Sequence, residues 1–183
     1  MTAVAVLPEP SGGPFTRADL ESMPDDGRRY ELIDGCLLVT PAPFVTHQHV
    51  LLELAVLIRG VCPVDAAIFV APLDVVLAED TVVQPDILVA RRCDLTRENL
   101  PAAPLLAVEI LSRSTRSFDL GAKKERYERA GTVAYWVFDP DTVRLRAWEL
   151  SEGTYVLAGD VSGDEAFEAE VPFPITVIPA ALV

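Results

Sequence analysis

The sequence lacks any apolar run long enough to cross a membrane. No stretch of about 18 apolar residues occurs in its 183 residues. The N-terminal stretch MTAVAVLPEPSGGPF has no cationic flank before a hydrophobic core, so the pattern of a secretory signal peptide is missing too. We therefore expect a cytoplasmic protein that does not associate with a membrane.

Cysteine is also scarce. The three residues Cys36, Cys62 and Cys93 are odd in number, far apart in the chain and without Cys-x-x-Cys spacing. That pattern argues against a disulfide framework and against a structural zinc site. We expect reduced, buried thiols.

Basic residues are few, since 15 Lys and Arg stand against 28 Asp and Glu, which gives a net charge of −13. Proteins that bind phosphate backbones generally carry a basic face, and a field of this sign opposes nonspecific binding to nucleic acid. The charge is uneven, however. Residues 112–129 hold six basic and three acidic side chains, whereas the chain from 151 onward holds six acidic side chains and no Lys or Arg. An acidic chain can therefore still present one locally basic element.

The distribution of proline, glycine and apolar residues predicts one domain. Half of the residues are hydrophobic, which suffices for a single substantial core. Residues 1–14 are rich in proline and glycine and are predicted to form a flexible N-terminal arm before a single domain at residues 15–183. Thr16 with Asp19 predicts a capped short helix, and Asp34-Gly35 between two β-prone runs predicts a hairpin.

The central part of the chain alternates helical and strand-like patterns. Apolar spacing predicts a helix capped by Thr46 and ending near Val61. Three strand-like runs follow, AIFVAPLDVVL, QPDILVA and LLAVEILS, then one helix in SFDLGAKKERYERAG that begins near Ser117 or Asp119, and then the strand VAYWVFD. This αβββαβ order, with extra β-strands at the N- and C-terminal sides, predicts an α/β domain with a mixed central sheet.

Two carboxylates interrupt otherwise apolar strands. Glu109 lies in the middle of LLAVEILS, and Asp86 is the only charged residue of QPDILVA. Burying an unpaired charge is costly, so each carboxylate needs a cation, a metal ion or a hydrogen-bond network as its partner. If the two strands are neighbours, about 4.8 Å apart, both side chains can reach one ion. Carboxylate and carbonyl oxygens suit a hard cation such as Mg²⁺.

A lysine follows these carboxylates. Asp119, Lys123 and Tyr127 are spaced four apart, so they share one helix face. A lysine beside metal-bound carboxylates can orient or deprotonate water and can neutralise charge on a phosphate, which is the chemistry of metal-assisted phosphodiester hydrolysis. A purely structural interpretation also fits, with Glu109 paired to Lys123 without metal and Asp86 capping a turn.

The two histidines do not predict a zinc site. His47 and His49 are two residues apart on a predicted helix, so their side chains point about 200° away from each other and cannot chelate one ion. A position near the helix start fits a cap or a core residue for His47.

The motifs, taken together, resemble a known family. Asp86 in QPD, Glu109 in VEILS and a later lysine on the αβββαβ order resemble the PD-(D/E)XK nuclease superfamily. More narrowly, YELIDG, HQ, APLDVVL, VVQPDILV, VEILSRST, DLGAKKERYERAG and AYWVFDP are similar in order and content to the Uma-two family of restriction endonucleases. The resemblance covers residues 16–180 and implies a restriction-endonuclease-like fold.

The resemblance implies an activity and a site. It implies an endonuclease that hydrolyses phosphodiester bonds in nucleic acid, with DNA as the favoured substrate, and a homodimer because two strands need two sites. It also implies that Asp86, Glu109 and the carbonyl of Ile110 hold Mg²⁺ or Mn²⁺, and that Lys123 serves the attacking water. Glu31 of YELIDG matches a further acidic position of the site, although it fits a satisfied hairpin residue equally well. The resemblance also allows a place in the active site for His47.

The sequence departs from the family pattern at two positions. In the superfamily the lysine often lies two residues after the glutamate, where this chain has Leu111. The resemblance therefore implies that Lys123, on the following helix, takes the place of that lysine. Arg113 stands where the family usually has proline, which alters the loop or adds a phosphate contact.

Two other functions stay open. The charge of −13 fits a nuclease-fold scaffold or regulatory binding protein without useful activity. A hydrolase of small phosphorylated molecules would need a closed pocket in place of an open groove. A basic groove around Lys123 would favour the nuclease, and acidic surroundings would favour the scaffold.

Overall fold

The computed structural model describes residues 5–6 and 13–183. In chain order its elements are β1 (Ala5–Val6), α1 (Arg17–Glu21), β2 (Arg29–Ile33), β3 (Cys36–Thr40), α2 (Val45–Val61), β4 (Ala66–Val70), β5 (Val75–Ala78), β6 (Thr81–Val83), β7 (Ile87–Arg91), β8 (Leu106–Ile110), α3 (Arg116–Leu120), α4 (Ala122–Ala130), β9 (Ala134–Asp139), β10 (Arg144–Ser151), β11 (Thr154–Ser162), β12 (Phe167–Ala169) and β13 (Ile175–Val177). Short 3-10 helices lie at Arg92–Asp94 and Pro179–Leu182. The predicted flexible arm falls largely outside the described residues, and its Ala5–Val6 pairs antiparallel with β3.

The central sheet has six strands in the order β11-β10-β9-β8-β7-β4. The β8–β9 pair is parallel, and the other four neighbouring pairs are antiparallel. The elements α2, β4, β7, β8, α4 and β9 reproduce the predicted αβββαβ order. The α/β class and the mixed central sheet are therefore confirmed.

A second sheet, in the order β1-β3-β2-β6-β5, packs beside the central one. Its β2–β3 hairpin turns at Asp34-Gly35, where both residues have positive φ, as a tight turn of this kind requires. The predicted single strand AIFVAPLDVVL is wrong, because it splits into β4 in the central sheet and β5 in the second sheet. Pro72, between them, has no N–H to continue the ladder.

Two apolar layers cover the two faces of the central sheet. On one face α2 packs against strands β7, β8 and β9, with Trp136 fully buried. On the other face the second sheet and α4 pack against the central sheet, with Tyr127 and Tyr135 fully buried. Glu109 lies on this second face, because Ala107 and Leu111, two residues before and after it, belong to the same layer.

The helices differ from the predictions at three boundaries. The capping box of Thr16 and Asp19 at α1 is confirmed. Helix α2 begins at Val45 with Phe44 as its N-cap, so the predicted cap Thr46 lies inside it. The single helix predicted at 117–130 is two helices that meet at Gly121, the first of which begins earlier, at Arg116. A Cβ at Gly121 would lie 2.9 Å from the carbonyl oxygen of Ser117, so the sharp junction requires glycine.

The exposure of the cysteines differs from the prediction. All three cysteines are free, but Cys36 and Cys93 are exposed and Cys62 is half-buried, so the prediction of buried thiols is wrong.

Within the described part of the chain, no helix combines the length and the apolar character needed to cross a membrane.

Candidate active site

Glu109 is held at the centre of the molecule by the strand that carries it. Strand β8 pairs with β7 on one side and β9 on the other, and all five of its residues are buried. The apolar composition of β8 explains this placement, because a strand covered on both faces must be apolar on both. The carboxylate of Glu109 is consequently only 1% exposed and needs a partner inside the protein.

Lys123 is that partner. Its Nζ lies 3.1 Å from Oε1 of Glu109, 2.9 Å from Oε1 of Glu31 and 3.5 Å from Oδ1 of Asp119. The first turn of α4 carries Lys123, and α3 carries Asp119 one turn earlier, so the predicted four-residue spacing brings them together across the break at Gly121. The side chain of Lys123 is fully buried, and its surroundings are acidic.

Asp86 forms the second half of the site. It lies just before β7, where its Oδ1 accepts a hydrogen bond from Nη1 of Arg29 at 3.0 Å and its Oδ2 accepts one from the backbone N–H of Ile110 at 2.8 Å. Nε2 of His47 lies 3.0 Å from the same Oδ2. The bond to Ile110 fixes Asp86 against the residue that follows Glu109, so the two predicted metal-site carboxylates are neighbours.

Arg29 joins the two halves. Its Nε lies 3.5 Å from Oε2 of Glu31, and its Nη1 reaches Asp86. Glu31 is fixed from a third side, because the backbone N–H of Gln84 donates to its Oε1 at 2.9 Å. We refer to the residues joined in this way as the charged cluster: Arg29, Glu31, His47, Asp86, Glu109, Asp119 and Lys123.

The charged cluster contains more negative than positive charge. Four carboxylates, those of Glu31, Asp86, Glu109 and Asp119, face the two permanent cations Arg29 and Lys123. With all four carboxylates ionised and His47 neutral, the cluster therefore has an excess of two negative charges in a buried environment. Such an excess is resolved by protons or by a bound cation.

The excess charge raises two of the carboxyl pKa values. Burial raises the pKa of Glu109 well above its ordinary value, against the opposing charge of Lys123 and with added repulsion from Asp119 and Asp86. Burial also raises the pKa of Asp119, from 3.8 to about 6, although Lys123 opposes the shift. These two carboxyls are the ones that hold a proton most readily.

Glu31, Asp86 and Lys123 are held in their ionised forms. Burial would raise the pKa of Glu31, but the charges of Lys123 and Arg29 outweigh it and lower that pKa. Burial would likewise raise the pKa of Asp86, but the hydrogen bond from His47 and the charge of Arg29 lower it. Burial would lower the pKa of Lys123, yet its carboxylate neighbours, Glu109 first, raise it above its ordinary value. Lys123 is thus a cation at neutral pH.

The donor set fits a hard divalent cation in chemistry and in charge. Carboxylate and carbonyl oxygens are the ligands of Mg²⁺ and Mn²⁺, and a dication would match the excess charge. Oε2 of Glu31 and Oδ1 of Asp119 are buried without a hydrogen bond, and each has an ion-pair contact of 3.5 Å, with Arg29 and Lys123 respectively. Among residues 5–6 and 13–183, no group of three or more His, Cys, Asp or Glu side chains is arranged to hold an ion. Any ion here would have to use two carboxylates and backbone or water oxygens.

Access to the charged cluster runs past Arg29 and His47. The side chains of Glu31, Glu109, Asp119 and Lys123 are at most 2% exposed, whereas those of Arg29 and His47 are 19% and 12% exposed. These two side chains therefore lie between solvent and the carboxylates.

The structure brings together all the residues that the sequence proposed for the site. Glu31, Asp86, Glu109 and Lys123 meet in one cluster, and Ile110 joins it through its N–H. Sequence reasoning did not include Arg29, and it treated Asp119 as a spacing marker. The sequence did contain a signal for Arg29, because residues 29 and 31 of a strand share one face and Glu31 was already a predicted site residue. Asp119 had one too, because its spacing of four from Lys123 predicts contact.

A solved structure shares this fold. It is described as a "putative nuclease belonging to DUF820" from Anabaena variabilis, and it superposes with a TM-score of 0.72 over 92% of this chain and 97% of that chain. The two sequences are 22% identical, so the likeness shows a shared fold. No curated protein matches the sequence.

The family comparison covers the whole charged cluster. The sequence profile of the Uma2 family, whose description is "Putative restriction endonuclease", matches residues 17–181. That range agrees with residues 16–180, over which the motifs resemble the family. The profile match therefore confirms the resemblance. The chain therefore belongs to the Uma2 family.

Proposed function

We propose that the protein is a metal-dependent endonuclease that hydrolyses phosphodiester bonds in nucleic acid, with DNA as its substrate. The observation that carries this proposal is the buried charged cluster, in which four carboxyl groups face only two permanent cations and two of them, Asp86 and Glu109, are held by the adjacent strands β7 and β8. Burying such a cluster is expensive, and well-packed apolar residues would stabilise the fold as well or better. Function is the reason to keep it, since perturbed carboxyl groups concentrate at catalytic sites.

Asp86, Glu109 and the carbonyl of Ile110 would hold the ion, Mg²⁺ or Mn²⁺. When bound, a divalent cation supplies Lewis-acid polarisation of a phosphoryl oxygen and an activated water. The chain contributes the fixed positions of the ligands. The N–H of Ile110 orients Asp86 through Oδ2, and Lys123 orients Glu109 through Oε1.

Lys123 acts as a fixed cation. Its raised pKa keeps the ammonium charged, so it can donate hydrogen bonds and stabilise negative charge that develops on a phosphate. Glu31 and Asp119 hold the ammonium in place from two other directions. We therefore assign Glu31 a supporting position in the proposed site, through Lys123.

Arg29 and His47 stand at the approach to the site. Arg29 presents a partly exposed guanidinium, which suits the geometry of an arriving phosphate, while it keeps Asp86 ionised. We further propose that the protein works in the cytoplasm as a homodimer, because cleavage of two strands requires two sites.

The test combines metal binding with cleavage. We expect calorimetric binding of Mg²⁺ and Mn²⁺ to the purified protein and nicking of plasmid DNA in the same samples. Glu109→Gln should abolish both, whereas Glu98→Gln, the same chemical change at an exposed position in the loop between β7 and β8, should abolish neither. Absence of metal binding with Mn²⁺ and DNA both present would show that the charged cluster is a structural ion-pair network.

A second candidate is a nuclease-fold scaffold or regulatory binding protein. The observation that favours it is the burial of Lys123 among acidic groups, in a chain with a net charge of −13. If the cluster is only structural, cleavage will be absent in the wild-type protein, and Glu109→Gln will reduce stability without changing metal binding.

A further inference from the structure

Helix α2 is apolar on the face that packs on the core and on a second face that is exposed to solvent. The buried residues of its inner face are Val50, Leu51, Leu54 and Ile58. On the outer face Val45, Leu52 and Val56 are 86%, 58% and 60% exposed. A surface helix ordinarily carries polar residues on the side away from the core. No described residue covers the side chains of this outer face. Helix α2 therefore has a second apolar stripe, which is exposed to solvent.

Strand β4, which packs beneath α2, has an open edge. It is the last strand of the central sheet in the order given above, and it pairs with β7 on one side. The N–H of Ala71 and the carbonyl of Asp65 bond toward the β7 side. Because main-chain groups alternate along a strand, those of Ile68 point to the open edge. The sequence AAIFV of β4 has no charge or proline to protect that edge.

The two elements form one continuous surface. A groove between them is lined by Leu52, Ala55 and Val56 from α2 and by Ile68, Phe69 and Val70 from β4, with Arg59 as its charged residue. Of the eleven large hydrophobic side chains that are exposed in the described part of the chain, seven lie between residues 44 and 70. We call this surface, α2 outer stripe plus β4 open edge, the α2–β4 face. Its apolar character marks an interaction site.

We propose that the α2–β4 face binds a second copy of this chain about a two-fold axis. Each β4 would pair antiparallel with its mate, which continues the central sheet across the dimer, and the two α2 helices would pack side by side over the junction. This inference deepens the homodimer of the proposed function, on which it rests, by naming the surface that forms it.

Symmetry favours a second copy over another partner. An open strand edge is complementary to itself in an antiparallel pair, and the same apolar stripe meets itself across a two-fold axis. Charge permits it at this face, although two chains of net charge −13 repel each other over most of their surface. Residues 44–70, which form the face, contain two acidic residues, Glu53 and Asp65, and one basic residue, Arg59, so the face is nearly neutral and allows close approach. Nucleic acid would require a basic face instead.

The size of the face suits a dimer. Helix α2 has 17 residues and is about 25 Å long. Helix and strand edge together are about 20 Å wide, from a helix diameter of about 10 Å and an inter-layer spacing of about 10 Å. The face therefore offers about 500 Å² per subunit, or about 1,000 Å² in total, which lies at the lower limit for a specific interface.

The dimer would also connect its interface to the proposed active sites. His47 lies in the first turn of α2 and contacts Asp86, so one helix carries both the outer stripe and a residue of the charged cluster. Two copies joined at α2 thus have their two sites on neighbouring helices of one assembly, as cleavage of two strands requires.

Sedimentation velocity across micromolar concentrations tests the proposal, with Val56→Asp as the variant and Val156→Asp as its matched control. Val156 is 56% exposed on β11, the other end strand of the same sheet, so the two changes share chemistry and exposure. We expect a wild-type dimer, an at least about tenfold weaker dimer for Val56→Asp, and a wild-type dissociation constant for Val156→Asp. Leu52→Asp should repeat the effect of Val56→Asp, and circular dichroism should show folded variants.

Three results would overturn the proposal. A monomeric wild-type protein at the highest concentration would remove the dimer and its surface together. Equal dimerisation of Val56→Asp, Leu52→Asp and wild type would show that the dimer uses another surface. Dissociation of Val156→Asp alone would assign the interface to β11. Failure of the nuclease proposal is distinguishable from all three, because it shows as lost metal binding and cleavage with an intact dimer.

Discussion

The ammonium of Lys123 and the carboxylate of Glu109 lie 3.1 Å apart, and neither side chain is more than 1% exposed. The pair is not balanced, because Glu31 and Asp119 share the same ammonium. One buried cation thus holds three carboxylates from β2, β8 and α3. These contacts connect the second sheet and α3 to the central sheet. Because one ammonium cannot neutralise three carboxylates, a further cation can bind nearby.

Loss of this cation should destabilise the fold strongly. In Lys123→Met three buried carboxylates lose their common partner, and breaking buried ion pairs from one side typically costs about 3–5 kcal/mol. Urea denaturation at neutral pH measures the change in the free energy of unfolding. Lys124→Met is the matched control, because Lys124 is the neighbouring lysine and lies 4.9 Å from the Trp148 ring centroid with no carboxylate partner among the described residues. We expect its cost to be about 1 kcal/mol or less. Equal costs for the two variants would contradict the central role of Lys123.

Part of this arrangement could be predicted from the sequence. Glu109 and Asp86 stand out as charges in apolar strands, and the spacing of Asp119 and Lys123 places them on one helix face. These signals are local, and the structure confirms the contacts they imply. The break at Gly121 was missed because an isolated glycine is tolerated inside a helical pattern.

The contacts that cross between sheets could not be predicted in the same way. Arg29 belongs to β2 in the second sheet, and its contact with Asp86 depends on how that sheet packs on the central one. The exposed stripe of α2 was likewise missed, because apolar spacing alone does not show which face of a helix is buried. Both features depend on tertiary placement, because the face that Arg29 shares with Glu31 on β2 does not show that this face packs against Asp86.

Asp119 should make stability depend on pH in a defined direction. Its pKa is raised from 3.8 to about 6 by burial, so its contribution to stability is complete below about pH 4 and is lost as pH rises through about 6. Asp119→Asn cannot titrate. The stability of this variant relative to wild type should therefore rise by on the order of 2 kcal/mol between about pH 4 and about pH 7.

Urea denaturation across this pH range measures the difference. Glu98→Gln, at an exposed position, should show a constant difference from wild type over the same range. A relative stability of Asp119→Asn that stays constant or falls as pH rises would show that Asp119 is already ionised in the folded protein at low pH.

Divalent cations should stabilise the folded protein through the excess charge of the cluster. At a Mg²⁺ or Mn²⁺ concentration about 100 times the dissociation constant, binding to the native state adds about 2.7 kcal/mol, which corresponds to a rise in Tm of roughly 5–10 °C for a chain of this size. Thermal unfolding with increasing metal measures the shift. Asp86→Asn and Glu109→Gln should both lose the shift, and Glu98→Gln should keep it. A shift that survives in both site variants would place the metal elsewhere.

Arg29 should matter for its fork of donors as well as for its charge. It contacts Glu31 through Nε and Asp86 through Nη1, and a lysine, with a single ammonium, cannot span both carboxylates in the same way. Arg29→Met should cost about 1–3 kcal/mol in the free energy of unfolding, at the lower end because the guanidinium is partly exposed. Arg29→Lys should recover part of that cost. The neighbouring Arg28, whose side chain is 64% exposed, provides the control, and Arg28→Met should change stability by less than about 1 kcal/mol. If Arg29→Met and Arg28→Met lower the free energy of unfolding equally little, the contacts of Arg29 do not contribute measurably to stability. Asp86 would then be held by Ile110 and His47 alone.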